Sequence, residues 1–152
     1  MLFSQSKLLY NIINDSERMR IKMLKWKDEY VIGIDIIDEQ HKMLFEIAQK
    51  AYELLTNDIY VDKYDRILNV IGELKDYAIY HFKCEEEYML KIGYKRFLSQ
   101  KVEHDEFIKK VNDIDFNKID ENQDAYLLSI LDFIVDWTSE HILQKDKLIM
   151  QK

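Results

Sequence analysis

His81-Phe82-Lys83-Cys84-Glu85-Glu86-Glu87 sets an imidazole and a carboxylate four residues apart inside a long stretch with helical periodicity. At that separation both side chains leave the same face of a helix. The face is the apolar one, because Ile67, Ile71, Leu74, Ala78, His81, Glu85 and Tyr88 recur at alternating steps of three and four. A glutamate there carries its charge into a low-dielectric interior, which costs several kcal/mol unless the charge is paired or holds a metal. The rest of the chain is therefore expected to supply the partner.

Working outward, the same periodicity appears three more times. Ile37, His41, Leu44, Ala48, Ala51 and Leu55 predict a helix from about Asp38 to Leu55, ended by Asn57-Asp58. The helix of the opening motif is expected over about 62–90, with Asp62 as cap, Asp65 in its first turn and Gly93 as its stop. A third helix, about 96–112, puts Phe97, Gln100, His104, Phe107 or Ile108, and Val111 on one side. After a polar connection from Asp113 to Gln123, a fourth, about 124–149, carries Tyr126, Ile130, Phe133, Trp137, His141 and Gln144. Short links between long helices describe an all-α, antiparallel up-down-up-down four-helix bundle.

Composition agrees with that class. The chain has 152 residues, 47% hydrophobic and 34% charged, with three glycines and no proline. This is enough for one core and poor in anything that turns strands. The net charge of −7 and pI near 5.1 argue against nucleic acid or an anionic membrane surface as partner. No apolar run approaches the ~18 to 20 residues of a membrane-spanning helix. Met1 to Asn14 lacks the features of a secretory signal, and the single cysteine, Cys84, fits a reducing cytoplasm. Cys84 has no base beside it and reads as a packed thiol.

The organised unit is expected over residues 25–152, preceded by an extension over 1–24. Within the extension, Leu8, Leu9, Ile12 and Ile13 suit a short amphipathic helix on the bundle's outside as well as they suit disorder. Met19 and Met23 are alternative starts. From Trp26 to Ile37 the β-branched residues and Gly33 discourage helix and predict an irregular arm.

All four histidines of the chain, His41, His81, His104 and His141, fall on inward seams, one per helix. Singly, such a histidine is more often a hydrogen-bonded core residue than a ligand. Four of four, accompanied by Glu85 and Asp146, point instead to a metal centre. Imidazole with carboxylate suits iron, zinc, manganese or copper rather than calcium or magnesium. Six such side chains exceed one tetrahedral zinc and suit two ions with the carboxylates as bridges. One difficulty is angular: five residues of regular helix turn Asp146 by roughly 140° from His141. A wide turn or a loosened helix end is therefore expected between them. Glu86 and Glu87 are assigned to the solvent side.

Asp38-Glu39-Gln40-His41-Lys42, His81-Phe82 with Glu85-Glu86, Glu103-His104-Asp105 with Phe107, and His141-Ile142 with Asp146 resemble the motifs of the hemerythrin family, most closely its bacterial single-domain members. Trp26 and Val31-Ile32-Gly33-Ile34 resemble the family's amino-terminal segment. The resemblance runs from about residue 25 to the end. It implies two iron ions in an oxo- or hydroxo-bridged centre that binds dioxygen reversibly, with His41 and His81 on one iron, His104 and His141 on the other, and Glu85 and Asp146 bridging. The chain departs from the pattern at Gln100, where the family has a histidine four residues before His104. An amide oxygen is a weaker ligand than imidazole for iron(II), so Gln100 is expected to coordinate or to contact the metal through water. Phe45, Leu44, Trp137, Phe107, Tyr88 and Tyr77 are candidates for apolar walls.

Three functions stay open on this reading. The first is dioxygen binding for storage, delivery or sensing. The second is a di-iron enzyme that reduces peroxide or nitric oxide or oxidises iron, which Gln100 favours. The third is a partly metallated module for iron buffering or interaction.

Overall fold

The computed structural model of the protein describes residues 25–56, 63–115 and 123–151. Four long helices make the body: α1 Asp35–Thr56, α2 Lys63–Lys91, α3 Phe97–Asn112 and α4 Gln123–Gln144. They pack as the four-helix bundle expected from the seams, with α1 against both α2 and α4, and α3 against α2. The expected residues of the α1 seam are all buried, and Ile67, Ile71, Leu74, Ala78, His81 and Glu85 are buried on α2. The extension over 1–24, Asn57-Asp58, the Asp62 cap and most of the α3–α4 connection lie outside the described residues.

Two boundaries differ from the sequence reading. Helix α1 begins at Asp35 rather than Asp38. Asp38 is instead a buried brace, its carboxylate accepting the backbone N–H of Ile32 at 2.8 Å and of Gly33 at 3.1 Å. These bonds fold the arm back over the helix end, and Gly33 turns the corner at a φ of +95°, where a side chain would be strained. The arm also contains a 3-10 turn at Asp28–Tyr30, and it seats Trp26 and Tyr30 on Phe45 at ring separations of 5.9 and 4.9 Å.

The second difference lies at the other end of the bundle. Helix α4 stops at Gln144, and a 3-10 turn, Asp146–Ile149, replaces its expected last turn. The buried positions of α4 are Leu127, Ile130, Leu131, Ile134, His141 and Ile142. Tyr126, Phe133 and Trp137 lie half-buried on its flank, and Gln144 is exposed. The α4 stripe is broad, with apolar residues on both sides of the seam, so periodicity alone does not locate its centre.

Between α2 and α3, Gly93 ends the helix at a φ of +67°. Tyr94 N–H bonds the Met89 carbonyl at 2.9 Å and Gly93 N–H that of Leu90 at 3.2 Å, a Schellman closure that satisfies the last carbonyls of α2. A hydrogen bond from Tyr52 to Asp132, 2.7 Å, ties α1 to α4, and Lys63 pairs with Asp124 at 3.6 Å. Met89, Ile37, Ile67 and Leu127 are fully enclosed. No helix among the described residues is long and apolar enough to cross a membrane.

Candidate metal centre

Each helix brings one histidine to the bundle interior, where His41, His81, His104 and His141 are at most 5% exposed. They form two pairs. His41 Nε2 faces His81 Nε2 at 3.1 Å, and His104 Nε2 faces His141 Nε2 at 3.1 Å. Glu85 and Asp146, 0 and 1% exposed, lie between the pairs. Each carboxylate divides its oxygens between them. Glu85 Oε2 is 2.9 Å from His81 Nε2 and 3.7 Å from His41 Nε2, while Oε1 is 3.6 Å from His104 Nε2. Asp146 Oδ2 is 3.3 Å from His41 Nε2, and Oδ1 is 3.2 Å from His141 Nε2. Two sets result, His41-His81-Glu85-Asp146 and Glu85-His104-His141-Asp146, each with ligand atoms within 4.8 Å of one another.

The loosened helix end expected for Asp146 is present. Lys145, at φ −119° and ψ −57°, closes the last α-helical bond to the His141 carbonyl at 2.9 Å, and the chain then tightens into the 3-10 turn. The change of winding takes up the angular mismatch and turns Asp146 inward.

The outer ring nitrogens show which tautomers are present. His81 Nδ1 lies 2.9 Å from Gln40 Oε1, His104 Nδ1 2.9 Å from Glu86 Oε1, and His141 Nδ1 3.1 Å from Glu103 Oε2. An acceptor at Nδ1 assigns the proton there, so the Nε2 atoms of these three rings offer lone pairs. His104 and His141 thus aim two lone pairs at each other. Both oxygens of Glu85, Oδ2 of Asp146 and Oε1 of Gln100 are buried without a hydrogen-bond donor. With the proton of His81 assigned to Nδ1, its 2.9 Å approach to Glu85 supplies none. Buried acceptors aimed at acceptors are costly unless a cation lies among them, and this donor set fits metal ions.

Without metal, the charges redistribute. Burial pulls the His41 imidazole down, but Asp146 and Glu85 outweigh it and raise its pKa to about 9. Burial keeps the His81 ring below its ordinary value despite Glu85. For His104, burial is more than offset by Glu85 and Glu86, and its pKa is raised. Glu85 is held well below the carboxylate range: burial opposes ionisation, but His81, His104 and His41 around it win.

Gln40, Glu86 and Glu103 are the functional residues that the sequence reading missed, and Glu86 corrects its assignment to solvent. Their signal is positional: each lies next to a site residue of its own helix and reaches a histidine of the following one. Aromatic rings complete the surroundings. Phe82 stacks on His104 with centroids 4.1 Å apart, Trp137 on His141 at 4.5 Å, and Trp26 lies 6.4 Å from His41. A cavity of about 10 Å³ is bordered by Leu44, Phe45, Leu74, Ile134 and Thr138. Of the other expected wall residues, Phe107 stacks on Trp137 at 4.3 Å, Tyr77 pairs with Tyr80, and Tyr88 bonds Met150 Sδ at 3.8 Å.

The chain is similar in sequence to known proteins. The model of the hemerythrin HHE cation-binding domain matches residues 32–152. The chain belongs to the hemerythrin family. A bacteriohemerythrin of Clostridium acetobutylicum is 55% identical over 125 residues, covering 82% of this chain and 97% of that protein. One from Methylococcus capsulatus is 30% identical over 79% of this chain and 88% of its own length. Another, from Stenotrophomonas maltophilia, is 36% identical over 59% of this chain and 56% of its own. The cation-binding description of the hemerythrin domain agrees with the buried imidazole and carboxylate cluster.

Proposed function

We propose that residues 25–152 form a non-haem di-iron unit that binds dioxygen for storage, delivery or sensing. On this reading His41 and His81 hold one iron, His104 and His141 the other, Glu85 and Asp146 bridge them, and Gln100 stands beside the second. The observation that carries it is the sharing of both carboxylates by two histidine pairs. When bound, two iron(II) ions would supply the pair of electrons that reversible dioxygen binding needs. The chain's own part is to fix ligand geometry and keep water out. Phe82 and Trp137 cover one face each of His104 and His141, and Trp26, Tyr30 and Phe45 pack over the His41 side. The lone Cys84 suits a reducing cytoplasm.

Anaerobic iron(II) loading followed by exposure to air tests the reading. Two irons per chain with reversible near-ultraviolet and visible bands support it. One iron or none rules it out.

A second reading, turnover of peroxide or nitric oxide or oxidation of iron, is favoured by one feature. Gln100 is 2% exposed, and its Nε2 lies 3.4 Å from Asp146 Oδ1 while its Oε1 has no partner. A neutral amide at that place leaves room for a water or a second small molecule. Rapid irreversible oxidation with peroxide consumption decides for this reading over the first.

A further inference from the structure

The two halves of the centre carry two histidines each and differ in what stands behind those rings. At the half that carries Gln100, both histidines back onto a carboxylate: Glu86 accepts a hydrogen bond from His104 Nδ1–H at 2.9 Å and Glu103 one from His141 Nδ1–H at 3.1 Å. Each carboxylate is itself held by a lysine, Glu86 by Lys101 at 3.6 Å and Glu103 by Lys145 at 3.1 Å. At the other half, His81 backs onto the neutral amide of Gln40, and His41 Nδ1 has no hydrogen-bond partner.

We infer that Glu86 and Glu103 are positioning residues: their charges strengthen His104 and His141 as donors, so that the half where Gln100 stands in place of an imidazole keeps its metal. The inference rests on the two-metal reading proposed above. A carboxylate on the far nitrogen of a ligand histidine fixes its tautomer and orientation and raises its basicity, and losing such a partner typically lowers metal affinity 10- to 100-fold. A neutral amide fixes the tautomer without supplying the charge. The sequence supports the arrangement structurally, since Glu86 follows Glu85 and Glu103 precedes His104, so each brace moves with a site residue of its own helix.

The experiment is cobalt(II) titration of the metal-free full chain against a competing chelator, followed by visible absorption, with circular dichroism of each metal-free variant as the control for folding. Glutamine at positions 86 and 103 is close in shape, and both carboxylates lie at the rim, 17 and 32% exposed. The wild-type chain takes two cobalt ions. The Glu86→Gln/Glu103→Gln variant is expected to keep one site at wild-type affinity and weaken the other about 10- to 100-fold. Adding Gln100→His to that variant recovers most of the loss, which a merely structural role for the glutamates does not explain. Each single glutamate variant loses part of the affinity, and these carry the test should the double variant fail to fold. Unchanged binding in the variants, or equal weakening of both sites, overturns the inference while leaving two metals in the wild type. A wild-type chain that takes fewer than two ions overturns the two-metal reading and this inference with it.

Discussion

Gln100 occupies a position four residues before His104, on the same inward face of α3, with an amide oxygen that nothing else in the interior satisfies. Substituting histidine there supplies an imidazole in place of the amide, and Gln100→His is expected to slow autoxidation of the iron-loaded protein in air. The decay of the visible band after oxygenation measures it, and an unchanged rate removes Gln100 from the chemistry. Asp38 is a second residue whose role is local and testable. Its carboxylate holds two backbone donors of the arm, and bonds to a charged group are worth roughly 1.5–3 kcal/mol each. Asp38→Ala is therefore expected to destabilise the fold by about 2–4 kcal/mol, after partial rescue of the freed N–H groups by water. Urea denaturation of the metal-free chain reads this directly. A smaller effect than 1 kcal/mol, on the order of an exposed ion pair, means that the arm is held by its aromatic rings alone.

The helices differ in how far periodicity reaches. On α1 from Ile37 to Leu55 and on α2 from Ile67 to Glu85, steps of three and four fall on buried residues, the histidines and Glu85 alike. On α4 the stripe is wide, and Tyr126, Phe133 and Gln144 are assigned to its centre although Leu127, Leu131 and Ile134 occupy it. The switch at Lys145 from α-helix to 3-10 turn is legible only as a requirement, from the five-residue step between His141 and Asp146, because no proline or glycine marks it. The arm is similar: glycine at position 33 signals a turn, but its partner Asp38 reads as a helix start. Since Gly33 sits at φ +95°, Gly33→Ala is expected to cost about 1–2 kcal/mol through backbone strain, although a methyl group there would touch nothing. A drop in thermal midpoint with unchanged metal content checks it, and full stability in the alanine variant contradicts the strain.

For the whole molecule, stability and metal content are one measurement. Ions that bind only the folded chain stabilise it by about 2.7 kcal/mol per site at a hundredfold excess over the dissociation constant, so iron(II) or cobalt(II) is expected to raise the thermal midpoint in proportion to occupancy. An unchanged midpoint at two ions per chain contradicts linkage of the site to the fold. The metal-free protein carries a pH signature. His41 is raised from 6.5 to about 9 by the buried carboxylates, so its contribution is fully present below 6.5 and is lost as pH rises through about 9. Glu85 is shifted the other way, and its contribution is present above its ordinary value of 4.5 and lost on acidification below it. Metal-free samples melted across that range are expected to lose stability at both ends; a flat alkaline limb contradicts the coupling of His41 to Asp146 and Glu85.

The amino-acid sequence by itself determined the helical class, the inward faces of α1 and α2, and the four histidines with Glu85 and Asp146 as a set, because side-chain period and ligand chemistry are local properties of the chain. Only the tertiary structure decided which neighbours brace those six side chains. Gln40, Glu86 and Glu103 act on histidines of the next helix, across separations of 41, 18 and 38 residues. Such pairings depend on how the helices are rotated and staggered against each other, which is set by the packing of whole faces rather than by any one stretch of residues.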